Sequence, residues 1–168
     1  MLLSQIIAIA DWKTISELIV AVAAIATLFI GTLEYIKQGA QKRTELFLHM
    51  RDRYIKFHDL CALLERRETP AGVEELRSLP YEKKFEFINF HEELALMAES
   101  RLIRYRLTHY MFGFYAIRCW ESDDFWNGVY GFNREEPYWG LFSAFVDRMK
   151  REKETFLREK FNSKKYRI

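Results

Sequence analysis

The stretch TISELIVAVAAIATLFIGTLEYI, Thr14 to Ile36, carries no charge from Leu18 to Leu33, where Glu17 and Glu34 bound it. At 1.5 Å per residue its 23 residues would form a helix of roughly 35 Å, enough to cross the hydrocarbon core of a bilayer. That length favours a membrane span over a buried core helix, whose apolar runs are normally shorter. Lys37, Lys42, Arg43, Arg51 and Arg53 follow the run, and only Lys13 precedes it. A cleaved signal peptide has the opposite order, with its positive charge in front. The asymmetry therefore predicts a single-pass protein of the inner membrane. Its segment after Lys37 would be cytoplasmic and the leading MLLSQIIAIADW outside, with Trp12 at the interface.

The remaining composition divides at the same place. Over 168 residues, 26 Lys and Arg nearly cancel 24 Asp and Glu, which excludes a strongly basic nucleic-acid binder. This near-neutrality joins unlike parts, since residues 1–37 carry a net −1 and residues 38–168 a net +3. Mean hydropathy of −0.24 is likewise an average of an apolar span and a charged bundle. Few Gly and Pro and 16% aromatic residues point to an all-α fold rather than a turn-rich β protein. We therefore expect a transmembrane helix within residues 1–37 and one helical domain over 38–168. Cys61 and Cys119 lie far apart without metal-ligand spacing, so neither a disulfide framework nor a metal site is expected, and no cofactor motif appears.

Within the span Glu17, Ala21, Ala24, Leu28, Gly31 and Tyr35 recur at three-to-four spacing and share a face, with Glu34 off its edge. Ala21, Ala24 and Gly31 among them are small, so neighbouring copies could approach closely in a homo-oligomer. Glu17 lies about one turn inside the outer boundary, where an ionisable group turns towards protein or water in preference to lipid.

After Gly39, Leu46, Phe47, Met50, Tyr54, Phe57, Cys61 and Leu64 mark one long amphipathic helix. Glu68 to Leu79, with Pro70 and Gly72, reads as a loop holding at most a short helical turn. A second helix follows Pro80, with Phe87, Phe90, Leu94 and Met97 inside and Lys83, Lys84, Glu93 and Glu99 wet. The third covers about Arg104 to Trp120. A packed loop or broken helix spans Ser122 to Gly131. A fourth helix starts near Asn133 as a cap, with Pro137 in its first turn, and ends near Phe161.

No phosphate-binding loop, GxSxG or HExxH motif is present. Two segments share the frame Arg-x4-His, Arg53 to His58 and Arg104 to His109. An arginine and a histidine brought together can act on RNA without metal, the guanidinium binding phosphate and the imidazole moving protons. The alternative is a structural histidine beside a paired or solvated arginine. Adjacent Glu92 and Glu93 point about 100° apart on a helix and cannot form a close carboxylate dyad, whereas Asn89 and Glu93 share a face as a structural pair. Trp120, Trp126 and Trp139 suit core packing better than base stacking. Residues 160–168, KFNSKKYRI, are basic and could touch anionic headgroups or RNA.

The span, the all-helical remainder and Arg104 to His109 together resemble the small membrane-anchored accessory proteins of type VI-B, RNA-targeting CRISPR systems. That family carries a divergent HEPN (higher eukaryotes and prokaryotes nucleotide-binding) domain, whose ribonuclease members place Arg-x4-6-His on a late helix. Arg104 and His109 match the frame and the position. Tyr105 departs from the Asn, Asp or His that follows the arginine in active members. The resemblance implies antiviral defence by a homo-oligomeric ring around a membrane pore, enhancing an RNA-guided nuclease. The competing expectations are a membrane-tethered, metal-independent ribonuclease using Arg104 and His109, and a membrane-anchored adaptor without catalysis.

Overall fold

A computed structural model describes residues 2–129, 134 and 137–159. They form helices and turns, with no strand among the described residues. The all-α expectation holds. The chain divides into two compact units, Met1–Lys42 and Arg43–Ile168, five residues beyond the boundary expected after Lys37.

The first unit is the apolar part of α1, Leu2–Tyr54, a 53-residue helix that passes through Gly39 without a break. Among the described residues this one helix is long and apolar enough to cross a membrane, and its apolar window has no buried residue. Thr27 and Thr32 donate their hydroxyls to the carbonyls of Ala23 and Leu28, both at 2.8 Å. Each thus keeps its polar group within its own helix, as a hydrocarbon environment requires.

In the second unit the expected long amphipathic helix is interrupted. α1 ends at Tyr54, a 3-10 turn covers Ile55–Phe57, and α2 runs His58–Glu65. The expected loop after Glu68 contains a helix, α3, Pro70–Ser78. Its start has local causes: Pro70 occupies the first turn, and the Thr69 hydroxyl accepts the Gly72 amide at 3.1 Å. Gly72 also permits a close approach, because a Cβ there would lie 2.1 Å from the Arg66 carbonyl oxygen.

α4, Tyr81–Glu99, packs on α8, Gly140–Arg158. Between them the chain forms α5, Tyr105–Thr108, a π-helical segment His109–Gly113, α6, Phe114–Glu121, and α7, Asp123–Trp126. The expected third helix is therefore split by a π-segment, and α7 supplies order within the expected packed loop. Pro137 begins a 3-10 turn, Pro137–Trp139, ahead of α8, which ends at Arg158 with Glu159 extended and so stops short of the expected end near Phe161; the Asn133 cap lies outside the described residues.

Phe87, Phe90, Phe112, Phe125 and Phe142 are fully buried. Tyr54 stacks on Phe90 at 5.3 Å and meets Phe112 edge-on at 5.0 Å. The tryptophans pack together as expected, Trp126 lying 5.5 Å from Trp120 and 5.8 Å from Trp139. Cys61 and Cys119 are buried and free. Lys84 contradicts the expectation of a wet residue: it is 1% exposed. Its ammonium donates to the Asn127 carbonyl at 2.7 Å and the Arg77 carbonyl at 3.4 Å, at the C-terminal ends of α7 and α3. A cation suits those ends, where carbonyls lack helical partners. Arg118 serves α2 in the same way, donating to the Leu64 and Glu65 carbonyls, while Arg67 donates to Arg118's own carbonyl at 2.8 Å.

Candidate functional site

Arg104 and His109 flank the first turn of the split helix. Arg104, in extended conformation, is the N-cap of α5, and its carbonyl accepts from the Thr108 amide at 3.0 Å and hydroxyl at 3.1 Å. Its side chain is exposed, with no ion pair among the described residues. It borders an open depression of about 670 Å³ that also includes Arg101, Tyr105, Arg106, Arg148 and Glu152. The acids here are occupied. Glu152 pairs with Arg148 at 3.0 Å and Arg106 at 3.9 Å, and Tyr105 donates its hydroxyl to Glu99. Arg101 and Arg104 therefore leave a local positive charge able to attract a phosphate.

His109 begins the π-segment and is half-buried. Its ring lies 6.0 Å from Phe156, and Gly113 leaves room for it, since a Cβ there would come within 2.8 Å of His109 Cδ2. Burial lowers its pKa; Glu152 opposes the shift and Lys153 assists it. The neutral ring could accept a proton, as base chemistry requires. However, it lines a second groove of about 290 Å³ with Tyr110, Phe114, Lys153, Phe156 and Leu157, apart from the depression that Arg104 borders. Within one chain, the two motif residues do not share a pocket.

Arg53 and His58 are parted by the 3-10 turn. Arg53 grips Glu93 with both guanidinium nitrogens, the second at 3.1 Å, and lies over the Phe90 ring. His58 is exposed. Glu93 thus takes Arg53 in place of the expected Asn89, and it is only partly exposed where a wet residue was expected. Glu92 and Glu93 respond oppositely: burial raises the Glu92 pKa, whereas Arg53 lowers that of Glu93. They form no dyad.

The span residues Glu17, Ala21, Ala24, Leu28 and Gly31 are all exposed, and a Cβ on Gly31 would meet nothing within 4 Å. Among the described residues no cluster of three His, Cys, Asp or Glu could hold a metal.

The sequence reading missed His91, which is 0% exposed and ringed by Phe87, Phe90, Tyr54 and Phe142. Its Nδ1 lies 2.8 Å from the Phe87 carbonyl, and burial pushes its pKa down to about 4. The signal was its register, four residues after Phe87 and three before Leu94 on the apolar stripe.

Compared with protein-family models, curated proteins and solved structures, the chain matches none.

Proposed function

We propose that this protein is a membrane effector of antiviral defence. Its spans assemble as a homo-oligomer around a pore and enhance an RNA-guided, RNA-targeting nuclease by depolarising the inner membrane. The observation that carries the reading is the apolar helix itself. From Thr14 to Ile36 every residue is exposed, including Leu18, Ile19, Ile25, Leu28, Phe29 and Leu33. Water is an unfavourable neighbour for such a surface, whereas lipid and other copies of the helix satisfy it. Ala21, Ala24 and Gly31 on one stripe let helices approach closely. The charge order supports an outer N-terminal segment and a cytoplasmic bundle. The wider role rests on the resemblance to type VI-B accessory proteins, including the divergent HEPN reading of the bundle.

Detergent-solubilised protein should run as a large homo-oligomer and conduct ions after reconstitution; a strict monomer overturns the reading. If Glu17 rings the outer mouth, Glu17→Gln reduces cation selectivity, and unchanged selectivity removes that role.

A ribonuclease reading draws on one observation, the π-segment that begins at His109, because such segments recur at functional sites. Since Arg104 and His109 border different pockets, it requires a second copy to complete the site. Metal-free cleavage of single-stranded RNA, abolished by His109→Ala, would favour it. Co-purification with the nuclease, without conductance or cleavage, would favour an adaptor.

A further inference from the structure

The second unit has a distinct end at which α1 enters. Phe47 on α1 lies 6.0 Å from Phe112, Tyr54, two turns later, lies 6.5 Å from Tyr115, and Arg118 reaches the Leu64 and Glu65 carbonyls at the end of α2, so the π-segment and α6 together follow the direction of α1 and α2. α8 runs back: Phe142 meets Trp120 at 5.4 Å, and Phe156 meets His109 at 6.0 Å and Tyr110 at 6.4 Å. His109, Tyr110 and Phe156 therefore sit at the entry end.

That end carries exposed apolar side chains. Phe142, Phe145, Val146 and Met149 of α8 are buried, but the apolar pattern continues beyond the core to Phe156 and Leu157, the latter 72% exposed. Tyr110 and Phe114 adjoin them as exposed residues around the groove of about 290 Å³. Its charge is one-sided. Lys153 lines the groove and Arg158 ends α8. Residues 160–168 add four basic residues and no acid. Of the carboxylates along this part of α8, Glu159 is engaged with Arg106 at 2.9 Å and Glu152 with Arg148 at 3.0 Å, while exposed Glu154 is outnumbered in sequence by Lys150, Arg151, Lys153 and Arg158.

We propose that this end of the bundle rests on the bilayer surface, with Tyr110, Phe114, Phe156 and Leu157 among the headgroups and Lys153 and Arg158 facing anionic lipid. The proposal rests on reading Thr14 to Ile36 as a span. Given that span, chain length places lipid within reach: from Ile36 to Arg43 is seven residues, which cover at most about 25 Å in any conformation. Aromatic side chains combined with lysine and arginine suit the headgroup layer, where rings bury their apolar bodies and cations meet lipid phosphates. A second copy fits less well, because a two-fold contact would place Lys153 and Arg158 against their own equivalents.

The test uses the full chain carrying Leu157→Cys with an environment-sensitive fluorophore; Cys61 and Cys119 are buried and should remain unlabelled. In vesicles of phosphatidylcholine with phosphatidylglycerol, headgroup spin-labelled lipid should quench the probe and aqueous iodide should not. A probe at Glu74→Cys, exposed on α3, should behave oppositely. The lipid-to-iodide quenching ratio should fall several-fold in phosphatidylcholine alone or when Lys153→Glu and Arg158→Glu are combined. Iodide-accessible Leu157→Cys in protein that resists alkaline extraction overturns the proposal while leaving the span intact. Extraction at alkaline pH overturns the span as well. A probe shielded from both quenchers, with Leu157→Cys forming cross-links between copies, overturns the proposal in favour of a subunit contact.

Discussion

Lys84 and His91 lie seven residues, about two helical turns, apart on the inner side of α4. Both are bases removed from water, but their partners differ. Lys84 has two helix-end carbonyls, and burial lowers its pKa against the pull of Asp124. His91 has the Phe87 carbonyl at Nδ1, while its Nε2 makes no hydrogen bond among the described residues. The Phe112 backbone, in the π-segment, opposes the downward shift without cancelling it. His91 therefore titrates near 4 in the folded protein and near its ordinary 6.5 when unfolded. Between those values the unfolded chain binds the extra proton, so stability is present above pH 6.5 and is lost as pH falls towards 4. The loss should be on the order of 3 kcal/mol. Urea melts of solubilised protein should show this slope, and His91→Phe, which keeps a ring among Phe87, Phe90 and Phe142, should flatten it. Gly72 makes a second residue-level prediction. An alanine Cβ would strike the Arg66 carbonyl carbon and oxygen, which belong to backbone and cannot swing away. Gly72→Ala should cost about 2 kcal/mol, seen as a lower urea midpoint with an unchanged slope.

At the scale of elements, the apolar run was legible because its signal is sustained and independent of neighbours. A charge at its centre tests it. Ala24→Arg should weaken insertion by roughly 3 kcal/mol, and Ala24→Arg with Gly31→Arg should release the chain to alkaline extraction, whereas Leu48→Arg outside the run should not. The buried stripe Phe87, Phe90 and Leu94 was legible for a similar reason, its period matching the helix of α4. Elements shaped by single local contacts were harder to read. Pro70 and Gly72 suggested a loop, yet they are the first-turn residue and the close-approach residue of α3. Nothing in the 3.6 period announces the 3-10 turn at Ile55–Phe57 or the π-segment, since each depends on tertiary packing. The candidate site was readable only as spacing. Arg104-x4-His109 fixes five residues of separation, but the N-cap and the π-segment determine that the two side chains border different pockets. Arg53-x4-His58 has the same spacing, and there Glu93 has claimed the arginine.

For the whole molecule, the decisive feature is the division at Lys42 and Arg43. Phe47, Met50 and Tyr54 lie after it, so every described residue of the hydrophobic core belongs to the second unit. The apolar exposure from Ile15 to Ile36 lies before it. A fragment starting at Arg43 therefore keeps the core and its helix-end arginines and lysine, and loses the surface that demands lipid. It should express as a soluble helical domain with a cooperative melt, while the full chain requires detergent. Its association is equally informative. If the small-residue stripe of the span assembles the protein, the fragment should be monomeric at concentrations where the solubilised full chain is a large oligomer, and Gly31→Leu with Ala24→Leu in the full chain should shift it towards smaller species. A fragment that reproduces the full oligomer would assign assembly to the bundle and leave the stripe facing lipid.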